Sequence, residues 1–130
     1  MGSERFYPEE APIRTVSVDS FWMDETPVTN AQFAEFVEAT GHVTFAEIPP
    51  DPKDYPGMLP ELAHPGSLVF EKTAGPVDLA SGAVPWWEFR LGACWRAPLG
   101  PDSSIEGMED HPVVHIAYSD AEAYAHWAGK

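Results

Sequence analysis

Residues 110–130 read DHPVVHIAYSDAEAYAHWAGK, and this stretch predicts a buried strand followed by a helix. The β-branched run from Val113 to Ala117 favours the strand. Ser119 and Glu122 are spaced as a capping box, in which each side chain accepts a backbone N–H at the start of a helix. We therefore expect the helix to open at Ser119.

Two aromatic side chains mark the inner face of this predicted helix. Tyr124 and Trp127 lie three residues apart, share one face and are most simply core residues. The chain stops at the closing turn of the helix while this face still needs a partner. A chain of 130 residues is one domain at most. We therefore expect residues 1–130 to be part of a larger protein and to be marginally stable or aggregation-prone when isolated.

The composition predicts an irregular, loop-rich fold. Fourteen prolines and ten glycines interrupt the sequence too often for long helices or a regular sheet. A net charge of −14 repels phosphate backbones and anionic lipids, which argues against nucleic acid and membrane partners. The acidic residues either attract a basic peptide or only keep the protein soluble. No signal peptide and no membrane-spanning run is visible, so a bacterial cytoplasmic location is favoured.

Further elements are predicted along the chain. Alternation from Ile13 to Met23 predicts a strand whose apolar side chains face inward. A short amphipathic helix follows, with a capping box at its start and a glycine at its end. The strand's inward residues are Val16, Val18 and Phe21; the helix is defined by Thr29, Gln32, Phe33, Phe36, Val37 and Gly41. Six prolines between Ile48 and Gly66 predict a long surface loop, Ser67 to Phe70 a short strand, and Thr73 to Ala83 a second loop.

Several residues could carry chemistry, and each also has a structural explanation. His111 and His115 are four apart on a predicted strand, a spacing of about 13 Å that favours a hydrogen-bonded histidine over a shared metal ion. Cys94 is a buried, inert thiol unless Arg96 lies close enough to lower its pKa. Trp86 and Trp87 are adjacent, so if one ring packs inward the other is offered to a groove or a peptide. The alternative for the Trp cluster is core filling.

The ordered motifs along the chain resemble the formylglycine-generating enzyme (sulfatase-modifying factor) family. The resemblance covers nearly the whole chain and is carried by the following segments: Met1-Gly2-Ser3, Tyr7 to Pro12, Val16 to Asp24, Pro27 to Phe33, Phe36 to Gly41, Pro65 to Phe70, Pro85-Trp86-Trp87, Gly92 to Arg96, Gly100 to Ser103 and Asp110 to Lys130. In that family the segment equivalent to Trp127-Ala128-Gly129-Lys130 continues into an Arg-Leu-Pro-Thr-Glu motif and a second half. Residues 1–130 thus resemble the N-terminal part of a single domain.

The resemblance implies an α+β, irregular, loop-rich C-type-lectin-like fold that is incomplete in this chain. It implies oxidation of a cysteine to Cα-formylglycine in unfolded sulfatase peptides, within Cys-x-Pro-x-Arg, by molecular oxygen. Copper(I), bound by a family cysteine pair that would lie beyond Lys130, and structural calcium are implied for the full-length parent. No catalytic residue and no metal ligand is therefore expected in this chain, which we expect to be inactive alone.

The resemblance also implies one wall of a peptide groove. Trp86 is the main substrate-binding candidate because a flat apolar ring can pack on the substrate proline. Trp87, Trp95 and Arg96 are further candidates as groove or support residues. Ala97 stands where the family usually has His. The same fold also serves non-haem iron sulfoxide synthases, related oxidoreductases and non-catalytic peptide-binding modules, which remain alternatives.

Overall fold

The computed structural model describes residues 1–60, 63–78 and 85–130 of the chain. The elements follow the order helix α1 (Asn30–Thr40), strand β1 (Gly66–Phe70), strand β2 (Trp87–Leu91) and helix α2 (Tyr118–Trp127). Pro8–Glu10 and Phe45–Glu47 are short 3-10 helices. Most of the remaining described chain is turn and loop, so the fold is α+β and loop-rich, as the prolines and glycines predict.

Helix α1 forms as the sequence predicts. The Thr29 hydroxyl accepts the Gln32 backbone N–H at 3.3 Å, and the Gln32 side chain accepts the Thr29 N–H at 3.0 Å. Gly41 ends the helix in the left-handed conformation, with its N–H donating to the Val37 carbonyl. Only a residue without a Cβ adopts this conformation at little cost. The predicted capping box and C-terminal glycine are confirmed.

The core lies where α1 packs against α2 and the segment around Trp95. It consists of Phe33, Phe36, Val37, Trp95 and Tyr124. The Phe33 ring lies 5.3 Å from Trp95 and 6.0 Å from Tyr124, centroid to centroid. Trp127 packs on Phe36 at 5.6 Å but stays 43% exposed. The α1 stripe and Tyr124 are thus core residues as predicted, whereas Trp127 lies at the edge of the core.

The predicted strand from Val113 to Ala117 is wrong. His115 has a φ of 59°, in the left-handed region, which interrupts an extended backbone. The segment makes one bridge, between Thr29 and Pro112, and a hydrogen bond from the Val113 N–H to the Val28 carbonyl at 2.9 Å. The segment anchors the start of α1 without forming a strand.

The predicted start of α2 is also wrong. The helix begins at Tyr118, so Ser119 and Glu122 lie inside it. Asp120 occupies the third helical position, where its Oδ2 accepts the Ala117 N–H at 2.9 Å. The helix therefore opens earlier than the Ser119 pattern predicts, because the buried carboxylate of Asp120 caps it in place of Glu122.

The predicted strand from Ile13 to Met23 does not form either. No strand of the described chain lies beside residues 13–23. Val16, Val18 and Phe21, predicted to face inward, are exposed, Val18 to 69%. Alternation gives a strand only where a neighbour supplies a hydrogen-bonding ladder and an apolar face, and the part of the chain that the structure describes supplies neither to this segment.

The strand predicted at Ser67 to Phe70 is confirmed as β1, which pairs antiparallel with β2 from Gly66↔Leu91 to Phe70↔Trp87. The proline-rich segment before it runs through turns, with residues 61–62 outside the described chain. Of the predicted second loop, Thr73 to Ala83, residues 79–83 also lie outside it. No described helix has the length and apolar character needed to cross a bilayer.

Candidate functional site

The β1–β2 hairpin has one apolar face that is open to solvent. Directly opposed residues of an antiparallel pair share a face, and alternate residues along each strand join them. The exposed members of this face are Leu68, Phe70, Trp87, Phe89 and Leu91. The Trp87 ring is 46% exposed and meets Phe70 edge to face, with centroids 5.8 Å apart. We call this surface the hairpin face.

The other side of the hairpin holds it against the body of the protein. Val69 is 3% exposed and packs inward from β1. Arg90 forms ion pairs with Glu71 and Glu88 and donates to the Leu99 carbonyl at 3.2 Å. Because Val69 is buried and the Arg90 guanidinium is fixed by three partners, the register that exposes the hairpin face is well defined.

Trp86 lies directly before β2 and is half-buried, whereas Trp87 is more exposed. The Trp86 carbonyl accepts the Glu71 N–H at 2.8 Å, which extends the hairpin by one hydrogen bond. The two rings thus occupy different environments, as expected of adjacent residues in extended chain. Trp87 presents the larger area to a ligand.

Trp95 and Arg96 lie away from the hairpin face. Trp95 is 2% exposed and fills the core, and its Nε1 has no acceptor within the described residues. The Arg96 guanidinium lies 4.3 Å from the centre of the Trp95 ring and donates to Glu47 at 3.0 Å. In this arrangement the two residues support the structure, while their predicted role at the groove stays a prediction.

A pocket of about 580 Å³ opens at one end of the hairpin face. Phe89 and Gly66 belong to both the hairpin and the pocket wall. The remaining wall comes largely from the proline-rich segment, which supplies apolar side chains and two exposed carboxylates. The apolar residues include Ile48, Tyr55 and Met58; the carboxylates are Asp51 and Asp54.

Sequence reasoning treated this proline-rich segment as a surface loop and missed the pocket. The large apolar residues between the prolines were the signal that could have indicated a pocket, because a loop that is fully exposed to solvent rarely contains several of them. What the sequence does not show is that the loop folds back toward Gly66, where the hairpin supplies the opposite wall.

The histidine and cysteine candidates do not form a metal centre with described neighbours. His115 Nε2 donates to the Pro98 carbonyl at 2.9 Å, so His115 is a hydrogen-bonded structural residue. The Cys94 N–H and carbonyl pair with Ala97 across a tight turn. A copper(I) site built from two thiolates does not fit this chain, because Cys94 is its one cysteine. Within the described ranges, no three His, Cys, Asp or Glu side chains are grouped to hold a metal.

Comparison with known proteins identifies the class. The whole chain, residues 1–130, matches the family described as the sulfatase-modifying factor enzyme 1-like domain, and the chain belongs to this family. It is 59% identical over 130 residues to the formylglycine-generating enzyme of Mycobacterium tuberculosis, and it covers 43% of that protein. It is 46% identical over 121 residues to the formylglycine-generating enzyme of Mus musculus, covering 93% of this chain and 30% of the relative. The chain thus spans less than half the length of these relatives.

More distant relatives carry other names. The inactive Cα-formylglycine-generating enzyme 2 of Mus musculus is 37% identical over 125 residues, covering 93% of this chain and 37% of the relative. The hercynine oxygenase of Mycolicibacterium smegmatis is 30% identical over 120 residues, covering 92% and 22%. Similarity is therefore greater to the proteins named formylglycine-generating enzyme.

Proposed function

We propose that the chain is the N-terminal part of a formylglycine-generating oxidase, which converts the cysteine of a sulfatase Cys-x-Pro-x-Arg peptide to Cα-formylglycine with molecular oxygen. The observation that carries the proposal is the 59% identity over the whole chain to a formylglycine-generating enzyme. The loop-rich α+β arrangement is compatible with the C-type-lectin-like fold, which we include in the proposal.

In this proposal the chain supplies scaffold and one wall of the peptide groove. The hairpin face is apolar, exposed and held in one register, which suits an extended peptide containing proline. Trp87, with Trp86 beside it, offers a flat ring on which a proline can pack. Trp95 lies in the core and Arg96 pairs with Glu47, so in this proposal both are support residues of the scaffold.

The chain does not supply the chemistry of oxidation. Its single cysteine gives no pair of thiolates, so we propose that the copper(I) ligands, and also the calcium ligands, belong to a part of the parent protein outside residues 1–130. The isolated chain is then expected to give no turnover and no stoichiometric copper(I) binding.

A chimera tests this function. Residues 1–130 replace the aligned part of the Mycobacterium tuberculosis formylglycine-generating enzyme, and conversion of a Cys-x-Pro-x-Arg peptide is followed by mass spectrometry with and without copper. We expect turnover by the chimera and none by the isolated chain. A folded chimera without turnover, or robust turnover by the isolated chain, would contradict the proposal.

A non-catalytic peptide-binding module is the second candidate, because relatives named inactive Cα-formylglycine-generating enzyme 2 are 35–37% identical to this chain. A module of this kind keeps the hairpin face but lacks the oxidising site. A folded chimera that binds the peptide without converting it would favour this candidate. The lower identity to hercynine oxygenase gives an iron-dependent oxidoreductase less support.

A further inference from the structure

A second groove beside the hairpin is lined by His115. Its volume is about 380 Å³, and its walls include Leu68 and Phe89 of the hairpin together with residues 115–117. We call it the His115 groove. Leu68 and Phe89 are directly opposed in the β1–β2 pair, and both belong to the hairpin face. A peptide that packs on the hairpin face at this pair therefore also meets the His115 groove.

The backbone of His115 has an unusual conformation. Its φ is 59°, and it is the one non-glycine residue of the described ranges with a positive φ. This conformation costs free energy for a residue with a Cβ, and such a cost persists where neighbouring contacts fix the residue. Here the contact is the hydrogen bond from Nε2 to the Pro98 carbonyl at 2.9 Å. The imidazole ring therefore has a defined position at the wall of the groove.

The Pro98 bond also defines which ring nitrogen is free. Because a carbonyl oxygen only accepts hydrogen bonds, Nε2 carries the proton, and in the neutral ring Nδ1 carries the lone pair. The described residues give Nδ1 of His115 no hydrogen-bond partner, and this atom is not buried, so a ligand can reach it. His115 thus offers one oriented acceptor that its structural bond does not use.

The other described residues of the groove wall indicate what kind of donor this acceptor suits. Apart from Ser67 and His115 their side chains are apolar or absent, and no Asp, Glu, Lys or Arg is among them. A charged donor would find no counter-ion in such a groove, whereas a neutral amide N–H loses little on entering it and gains one bond. The composition therefore favours a peptide backbone over a basic side chain.

We propose that Nδ1 of His115 accepts a hydrogen bond from a backbone N–H of an extended peptide that lies on the hairpin face. This inference rests on the proposed function and makes His115 a substrate-binding residue, which aligns the peptide backbone beside the apolar contacts of Leu68 and Phe89. Nε2 keeps its structural bond to Pro98, so the two ring nitrogens have different roles.

Two variants separate these roles. A glutamine amide reaches about as far as Nε2, so His115→Gln keeps a donor for the Pro98 carbonyl but removes the acceptor at Nδ1. An asparagine amide reaches the position of Nδ1, and asparagine tolerates a positive φ, so His115→Asn keeps an acceptor and loses the Pro98 bond. His126→Gln is the matched control, because His126 is exposed and does not line the groove.

The experiment uses the chimera and a series of Cys-x-Pro-x-Arg peptides in which one amide at a time is replaced by an ester, which removes one N–H donor. Dissociation constants from fluorescence anisotropy and kcat/KM are measured for the chimera and the three variants, and urea denaturation shows that each is folded. We expect one ester position to weaken binding about fivefold in the chimera, in His115→Asn and in His126→Gln, through the loss of one hydrogen bond. His115→Gln is expected to bind the all-amide peptide about fivefold more weakly and to be insensitive to that ester.

The outcomes separate this inference from the function on which it rests. If the chimera converts peptide but every ester acts in His115→Gln as it does in the chimera, the role of His115 is wrong while the function stands. If a folded chimera binds peptide without converting it, the oxidase function is wrong, and the ester series still decides on His115. A folded chimera that binds no peptide overturns both.

A purely structural His115 gives the opposite pattern in the two variants. It predicts a loss of affinity in His115→Asn, which breaks the Pro98 bond, and none in His115→Gln, which keeps it. That pattern would overturn the inference. If one of the two variants does not fold, the comparison of the other with His126→Gln decides.

Discussion

At the scale of single residues, Asp120 connects three parts of the fold. Its carboxylate is 2% exposed and accepts the Ala117 N–H, the Phe45 N–H and the His42 Nε2–H, at 2.9–3.2 Å. The carboxylate therefore joins the start of α2 to the segment that follows α1. When a buried N–H group loses its acceptor, the folded state is destabilised by the desolvation free energy of that group.

Asp120→Ala in the chimera is expected to lower the free energy of unfolding by about 2 kcal/mol, because two part-buried backbone N–H groups lose their acceptor. Urea denaturation measures the loss. The matched control is Glu122→Ala on the same helix, where the side chain is exposed and a change within about 0.5 kcal/mol is expected. A larger loss for Glu122→Ala would support the capping box that the sequence predicts and contradict the one described here.

Substitutions of Trp95 and Trp87 are expected to have different effects, the first on stability and the second on peptide binding. Trp95→Ala removes a core ring that meets Phe33 at 5.3 Å, and a loss of about 4 kcal/mol in unfolding free energy is expected. Trp87→Ala removes a half-exposed ring and is expected to cost about 1 kcal/mol or less while raising KM for the peptide. Urea denaturation and steady-state kinetics of the chimera measure both effects. Equal losses of stability, with KM unchanged in Trp87→Ala, would contradict the assignment.

At the scale of elements, the hairpin depends on close approach of its two strands at Gly66. A Cβ built on Gly66 would lie 2.4 Å from the Arg90 carbonyl oxygen and 2.9 Å from Phe89 Cζ. The obstructing oxygen belongs to the backbone of β2. β2 therefore cannot move away from Gly66 without weakening its pairing with β1. The residue that allows the pairing also lines the pocket.

Gly66→Ala in the chimera is therefore expected to destabilise the hairpin by about 2 kcal/mol. Hydrogen exchange reads this directly at the N–H groups of Glu71 and Gly92, which bond to Trp86 and Pro65 at the two ends of the hairpin. Gly75→Ala is the control, since no atom lies within 4 Å of a Cβ built there. Faster exchange in Gly75→Ala than in Gly66→Ala would refute the packing argument.

The elements also show what sequence reasoning can and cannot predict. Helix α1 was predictable because its signals are local: the Thr29 and Gln32 cap, the apolar stripe and Gly41. The strand at Ile13 to Met23 was not, since a strand depends on a partner that lies elsewhere in the chain or outside it. The start of α2 was predicted wrongly because the carboxylate that caps the helix, Asp120, is held by hydrogen bonds from His42 and Phe45. These two residues are distant from Asp120 in the sequence.

The candidate site divides in the same way. Exposure of one ring of the Trp86-Trp87 pair followed from the alternation of an extended chain. The hairpin face could not be predicted, because it requires the register between Trp87 and Phe70, which the separate segments do not reveal. The pocket depends further on how the proline-rich loop returns to Gly66, and six prolines alone do not specify that path.

At the scale of the whole molecule, large apolar surfaces lie open to solvent. They comprise the hairpin face and the segment containing Ile13, Val16, Val18, Phe21, Trp22 and Met23. Apolar patches of this kind promote association. The purified 130-residue chain is therefore expected to aggregate or to melt without a sharp transition in calorimetry, whereas the chimera melts cooperatively. A sharp, reversible transition of the monomeric chain would contradict this expectation.

The proposed role of the hairpin face is to form one wall of the substrate groove. This role is tested by photocrosslinking the chimera to a Cys-x-Pro-x-Arg peptide that carries benzoylphenylalanine in place of the proline, followed by mass-spectrometric mapping. We expect crosslinks within residues 85–91 and at Phe70, reduced by an excess of unlabelled peptide. Crosslinks that compete with unlabelled peptide but fall only outside the hairpin would contradict it.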